Sequence, residues 1–458
     1  MDVTSLISAW DTQIQQLALA FTIPTAAVWR QIVLGWLLHR GPATVTGMIR
    51  VLGTLAQKHW TVYHKFFYRA KWSLDVLSNL LLMNVIAPMI LESGVVDETT
   101  KKPVADLNLD DTTAARYGKH VAHAGWFKDA SATGPATKGT VIHWAHNWIV
   151  GAITLRLPRW PLVRWVLPAA FALYRKQNDC SRQHPFATRQ VLATRMVSQV
   201  AQALPDVRIR VAADGQYATR DMIEGLPYGV CFVSRIRRDA AIYALPPTKR
   251  PPHRRGRRRI KGKRIPAPRQ LARRTKGWKT ITVMQQGRTV TREVLGVTCL
   301  WYHVCRSKPI RLVIVRDPTG RQKDDFFFCT DVETPEEEIV QRYYDRWGVE
   351  ECIQEAKQCL GFEATRGWCS RTVHRQAPLA MVLVTLVKAW YAKCASTTPS
   401  LQPQAQPWNP HKARPSFADM LSSLRCVLWK HRILANSGFS MKVHEIIKTV
   451  SYALSNAA

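Results

Sequence analysis

Four residues of one segment have the types and spacing to handle phosphate: Tyr343, Arg346, Glu350 and Lys357, at successive steps of 3, 4 and 7. At about 100° per residue on an α-helix, all four lie within roughly 60° of one another. Val349, Ile353, Ala356 and Leu360 form a neighbouring apolar stripe that can dock on a sheet. A carboxylate among such donors can hold a hard cation while the basic groups neutralise phosphate oxygens. Taken alone, the same residues also fit a solvated helix face with i,i+4 ion pairs. Two further acids follow strand patterns. Leu107-Asn108-Leu109 alternates into Asp110-Asp111-Thr112-Thr113, and Val207-Arg208-Ile209-Arg210-Val211 runs towards Asp214-Gly215. Alternation puts Asp111 on the face of Leu107 and Leu109, and Asp110 on that of Asn108. By itself each aspartate could equally be a cap or a turn residue.

The Tyr-x2-Arg-x3-Glu-x6-Lys spacing resembles, without departure, the signature around the third carboxylate in one group of bacterial insertion-sequence transposases of the DDE superfamily. In that group the first Asp directly precedes a Thr, which favours Asp111 and leaves Asp110 as the alternative. The second Asp ends a strand before a loop into a helix, as Asp214 to Arg220 do. The resemblance spans about residues 100–375, and the N-terminal helical segment is also similar. It implies an α/β ribonuclease-H-like catalytic core with a β-rich insertion, flanked by N-terminal and C-terminal helical domains. It further implies a Mg2+-dependent endonuclease and strand transferase, with Mn2+ substituting. Such an enzyme binds double-stranded DNA at the ends of its element, as a homodimer, and joins them to target DNA. Asp111 would bridge two metal ions, with Asp214 and Glu350 holding one each. Tyr343, Arg346, Lys357 and Arg235, at the end of Phe232-Val233-Ser234, would contact DNA, and Trp347 could stack on an unpaired base or sit in the core. Relatives that pass through a hairpin hold a flipped base on an aromatic of the insertion, for which Trp301 and Trp278 are candidates.

These residues need elements that converge. Residues 1–100 read as a helical, DNA-binding domain: apolar positions recur at helical spacing in 26–37 and 72–91, and Arg40, Arg50 and Lys58 lie between, beside candidate turns at Thr44, Thr46 and Gly47. Residues 101–238 read as the first part of the core, with one or two strands in 142–157, a helix over 191–204 and a strand over 229–234. Residues 239–330 read as the β-rich insertion. It carries a basic loop, 249–279, with fifteen Lys and Arg and no acid, which cannot bury a core and suits sequence-independent grip on DNA backbone. Strand patterns follow at 280–283, 294–304 and 310–315, then a turn at Asp317-Pro318-Thr319-Gly320 before Phe326-Phe327-Phe328. Residues 331–375 return to the core. There Thr334 reads as an N-cap, Pro335 as the first helical residue and Glu337 as the capping-box partner, of a helix running to Leu360 and stopped by Gly361. Residues 376–458 form a C-terminal helical region, with an apolar helix over 377–393, a Pro/Gln/Ser-rich linker over 396–416 and a last helix.

The charge balance agrees with a polyanionic partner: 65 Lys and Arg against 32 Asp and Glu, a net +33. A ribosome-associated protein or one held on anionic membrane would share it. The run 80–91 reads as too short to span a bilayer, Lys388 interrupts the run 378–390, and no secretory signal opens the sequence. The expectation is therefore a soluble, cytoplasmic protein without a membrane partner. Ten cysteines without a Cys-x-x-Cys pair read as reduced thiols. His120/His123 and His143/His146, each at i,i+3, leave a weak zinc alternative. The absence of a Walker loop, a Gly-x-Ser-x-Gly elbow or a dinucleotide fingerprint argues against ATP use and acyl chemistry. The rivals are a nuclease of the same fold, such as a junction resolvase, and a non-catalytic DNA-binding protein derived from a transposase.

Overall fold

A computed structural model of the chain describes residues 1–129, 132, 139–247, 259–407 and 409–434, with a few positions between 447 and 454. They divide into two compact units. The first comprises Met1–Val95, Asp111–Phe186 and Glu351–Ala458, and the second Val96–Asp110 and Ala187–Glu350. Strand β1 (Val104–Ala115) and the helix Trp347–Leu360 each begin in the second unit and end in the first.

The first unit opens with the helices Val3–Ala18, Ile23–Leu38, Val45–Leu52 and Trp60–Tyr68, then a helical run over Leu74–Ser93. Thr44, expected in a turn, caps Val45–Leu52 by accepting from Gly47 N (3.1 Å). Strand β2 (Gly125–Lys128) pairs antiparallel with β3 (Ile142–Leu157), which is one strand and forms a long hairpin with β4 (Trp160–Tyr174). Strand β4 escaped the sequence reading because its middle is continuously buried and therefore lacks the alternation that marks a half-exposed strand.

The helix Ser370–Ala395 supplies much of this unit's core. Thr385 Oγ1 donates to Pro168 O of β4 (2.6 Å) and Lys388 Nζ to Val166 O (3.1 Å). Mostly apolar from Ala377 to Ala392, it is buried throughout that stretch. Lys388 is paired with Glu355 (2.6 Å). Burial works against its charge, but the neighbouring Cys352 and Glu355 hold it protonated. The apolar runs 80–91 and 378–390 belong to helices whose length and composition, taken alone, would allow them to cross a membrane. Leu74–Ser93 and Ser370–Ala395 are both long and apolar enough, although 94% of the apolar window in the second is buried inside the protein. Leu383 has no exposed surface. Leu383→Ala is expected to destabilise the fold by roughly 2–5 kcal/mol, through lost transfer energy and the cavity left behind. Chemical denaturation measures this, and an unmoved midpoint would contradict the packing.

In the second unit the sheet order is β1, β5 (Arg208–Ala213), β6 (Cys231–Arg235), β12 (Asp325–Cys329), β11 (Ile310–Arg316), β10 (Arg288–Cys299), β9 (Lys279–Gln285). Strands β1, β5 and β6 are parallel, and the rest continue antiparallel from β6. Residues 279–329 thus extend the sheet that carries β5. Strands β7 (Ile242–Tyr243) and β8 (Arg264–Ile265) form a separate small pair. Residues 302–305 leave the strand pattern expected for 294–304 and form the helical turn Tyr302–Cys305. Of the basic loop, residues 249–258 lie outside the described residues.

The helix Glu336–Asp345 docks on one face of this sheet, burying Ile339, Val340, Tyr343 and Tyr344 against Val233, Val313 and Phe327. Arg210 fastens it. The guanidinium bonds both oxygens of its register partner Asp106 (2.7 and 2.9 Å) and Glu338 of the helix (2.6 Å). Two local expectations are corrected. Pro335, not Thr334, is the N-cap, because the Thr334 hydroxyl accepts from the Cys329 thiol instead (3.7 Å), so no capping box forms. Nor is 336–360 one helix: it breaks at Arg346, whose N–H bonds back three residues to Tyr343 O (3.3 Å), tightening the turn.

Candidate active site

Parallel register sets Leu109 of β1 opposite Ala213 of β5, so Asp110 and Asp214 are the next residues on adjoining strands. Strand β1 does not stop there but runs on to Ala115. Successive side chains alternate faces, which turns Asp111 away from Asp110. In the first unit Asn147 of β3 donates to Asp111 Oδ2 (2.8 Å).

The third acid comes from the helix break. Arg346 donates through Nη1 to Asp110 (2.6 Å) and through Nη2 to Glu350 (3.0 Å), one guanidinium holding two carboxylates. Tyr343 Oη donates to Asp214 Oδ1 (3.2 Å). Its ring is fixed by stacking on Phe327 at 4.3 Å. The guanidiniums of Arg235 and Arg346 lie 5.3 and 5.5 Å from that ring. The Asp214 carbonyl accepts from Ser234 Oγ (3.0 Å) and Tyr217 N (2.9 Å), which fixes the turn after β5. Asp110, Asp214 and Glu350 are therefore gathered around Tyr343 and Arg346.

Burial works against the Arg346 charge, but Asp110 and Glu350 more than offset it and hold the guanidinium protonated. Burial also pushes the Tyr343 phenol up, so it remains a donor to Asp214. Among the described residues no three His, Cys, Asp or Glu stand close enough to share a metal ion. What Asp110 and Glu350 share is a cation, the guanidinium of Arg346, in a half-buried setting. Hard oxygen donors focused on one positive charge have the chemistry that holds a divalent cation, and Asp110 and Glu350 would be the pair to hold one if Arg346 moved aside.

The other expected residues are dispersed. Lys357, in the first unit, donates to Thr113 O (2.8 Å) and pairs with Glu363 (2.6 Å). Arg235 pairs with Asp325 (3.0 Å) and half of its side chain is exposed. Trp347 is 42% exposed, so its indole faces solvent rather than the core. Trp301 is buried but lines a cavity of about 720 Å3 with Gly215, Arg220, Arg235, Arg237 and His303. Trp278 is covered by the Arg316 guanidinium at 4.0 Å, and its indole N–H donates to Arg274 O (2.8 Å).

Three of the four histidines of the i,i+3 pairs are engaged by other groups. His143 faces Asp129 (3.3 Å), and His123 lies between Asp179 and Ser370. His146 accepts from Arg116 Nε (2.8 Å), and burial pushes its pKa down to about 3. All ten cysteines are free. Sequence reasoning missed Arg342, a buried cation bonded to Cys231 Sγ (3.3 Å) and facing Asp106 (3.7 Å). Its place on the helix carrying Tyr343 was visible, but its partners on β6 and β1 were not.

A family profile described as DDE superfamily endonuclease matches residues 16–296, more than half of the chain, including Asp110, Asp111 and Asp214. The chain belongs to the DDE endonuclease superfamily. DDE endonucleases act on DNA and generally use divalent metal ions, which agrees with the carboxylate donors and the net charge of +33. The matched span of this DDE endonuclease ends before Glu350. No curated protein matches the chain.

Proposed function

We propose that this DDE endonuclease is the transposase of a bacterial insertion sequence, built on a ribonuclease-H-like core, with Asp110, Asp214 and Glu350 as its catalytic carboxylates. The observation that carries this reading is the grouping of the three acids around Arg346 and Tyr343, from the parallel strands β1 and β5 and one helix. The role that family resemblance gives to Asp111 passes to Asp110 because Asp110 shares Arg346 with Glu350, whereas Asp111 is engaged by Asn147.

The three acids would hold Mg2+, or Mn2+ in its place, which when bound activates the attacking oxygen and stabilises the leaving one. The protein's own groups do the rest. Arg346, released from the acids, neutralises a phosphate oxygen beside the scissile bond. Tyr343 keeps Asp214 in one orientation, and its hydroxyl is engaged there rather than on DNA. Arg235 and Lys357 supply further charge to the DNA backbone, and the exposed Trp347 offers a stacking face to an unpaired base. The Trp301 cavity has room and positive charge for a flipped nucleotide. Joining two ends in one event calls for one chain at each end, hence a homodimer.

Supercoiled plasmid carrying the element ends should be nicked and joined in Mg2+ or Mn2+ and left intact in EDTA. Cleavage that persists after chelation would remove the reading. Preference for four-way junctions over element ends would turn it into a resolvase.

A further inference from the structure

The first unit holds a second cluster of charge, apart from the carboxylates. A cavity of about 550 Å3 is lined by Arg40, Lys357 and Arg425, with His39, Cys359 and Ser422 among its other walls. Three distant parts of the sequence build it: the loop after the helix Ile23–Leu38, the end of the helix Trp347–Leu360, and the helix Phe417–Leu434. They are fastened together. Trp36 Nε1 donates to Leu360 O (2.9 Å), and Arg425 Nε donates to Leu37 O (2.5 Å). Gly361 turns the chain at φ +65, and a Cβ there would stand 2.9 Å from that of Ala43.

The charges in this cavity are not balanced. None of its described lining residues is acidic, although Lys357 is paired with Glu363, which is not among them. Arg40 Nε is buried without a hydrogen-bond partner. Burial drives the Arg425 guanidinium down to about 10, and the like charge of Arg40 adds to the shift. Two guanidiniums lining one cavity, one of them with a buried, unmade N–H, form an arrangement that an anion completes. Guanidinium forks match the oxygens of phosphate, and an ammonium adds a point charge.

We propose that Arg40, Arg425 and Lys357 form a phosphate-binding pocket that takes a backbone phosphate of the DNA held by this enzyme. The DNA assignment rests on the transposase reading, whereas the anion chemistry does not. The pocket couples the N-terminal and C-terminal helical segments of the first unit to one ligand, a link that no single stretch of sequence carries.

The test uses the full chain and two probes, a duplex carrying the element end and inorganic phosphate. Arg40→Gln should weaken duplex binding about tenfold near physiological salt and lower the log–log salt slope by about 0.9, the share of one phosphate. It should also abolish much of the rise in Tm that millimolar phosphate gives the wild type, without lowering Tm in phosphate-free buffer, since it relieves repulsion. Arg40→Lys should restore most of the slope. Loss of the phosphate response with an unchanged duplex slope assigns the pocket to free anion and overturns the DNA assignment. No change in either overturns the pocket. A wild type that binds phosphate here but never cuts DNA sinks the transposase reading and leaves the anion site standing.

Discussion

Asp110→Asn is expected to reduce DNA cleavage by about three orders of magnitude or more, while Asp111→Asn stays within roughly tenfold of the wild type. The first substitution removes a donor oxygen from the set gathered around Arg346. Loss of a metal-holding carboxylate costs several kcal/mol of charge stabilisation in the transition state, and each 1.36 kcal/mol is a factor of ten in rate. The second substitution weakens a hydrogen bond from Asn147. A bond of that kind contributes on the order of 1–3 kcal/mol to stability and nothing directly to the reacting phosphate. Asp214→Asn and Glu350→Gln should match Asp110→Asn in rate and, like it, retain DNA binding. Single-turnover nicking with saturating enzyme separates rate from affinity. The reverse pattern, an inert Asp111→Asn beside an active Asp110→Asn, would return the first carboxylate to Asp111 and make the Asp110–Arg346 contact a structural ion pair.

The choice between these two neighbours shows where the sequence is legible and where it is not. Strand patterns ending near both aspartates and the helical spacing of Tyr343, Arg346 and Glu350 could be read directly, because both follow from local periodicity. The parity of the strand was also readable, but it could not decide between faces without knowing that Leu109 pairs with Ala213, a register set about a hundred residues away. The family habit of Asp before Thr points to Asp111, whereas the bond to Arg346 is made by its neighbour Asp110. The break at Arg346 was hidden for a similar reason. Nothing local in Asp345-Arg346-Trp347 interrupts a helix, and the tightened turn accompanies Arg346 reaching a carboxylate on β1. Strands β9 to β12 were legible one by one, but not that β12 pairs with β6 and so carries the sheet onward. Pairing at long range is a property of the assembled sheet, not of a window of residues.

Arg346→Gln should change two measurements in opposite directions. In the protein as folded, the Arg346 guanidinium is the cation between Asp110 and Glu350. Any divalent ion entering there must displace it, and charge-assisted hydrogen bonds of this kind contribute about 1.5–3 kcal/mol each. Removing the competitor leaves two carboxylates facing each other, so Mn2+ measured calorimetrically without DNA should bind about tenfold or more tightly, 1.4 kcal/mol per factor of ten. Cleavage should nevertheless fall about 10²- to 10³-fold, the usual loss when one donor aimed at developing phosphate charge is removed. Arg346→Lys keeps the charge but not the fork, and should restore part of the rate with little of the gain in Mn2+ affinity. A purely structural arginine would act differently: its loss would lower Tm and weaken metal binding, since the acids would no longer be held together. Mn2+ affinity that falls along with activity would therefore show that Arg346 supports the site without guarding it.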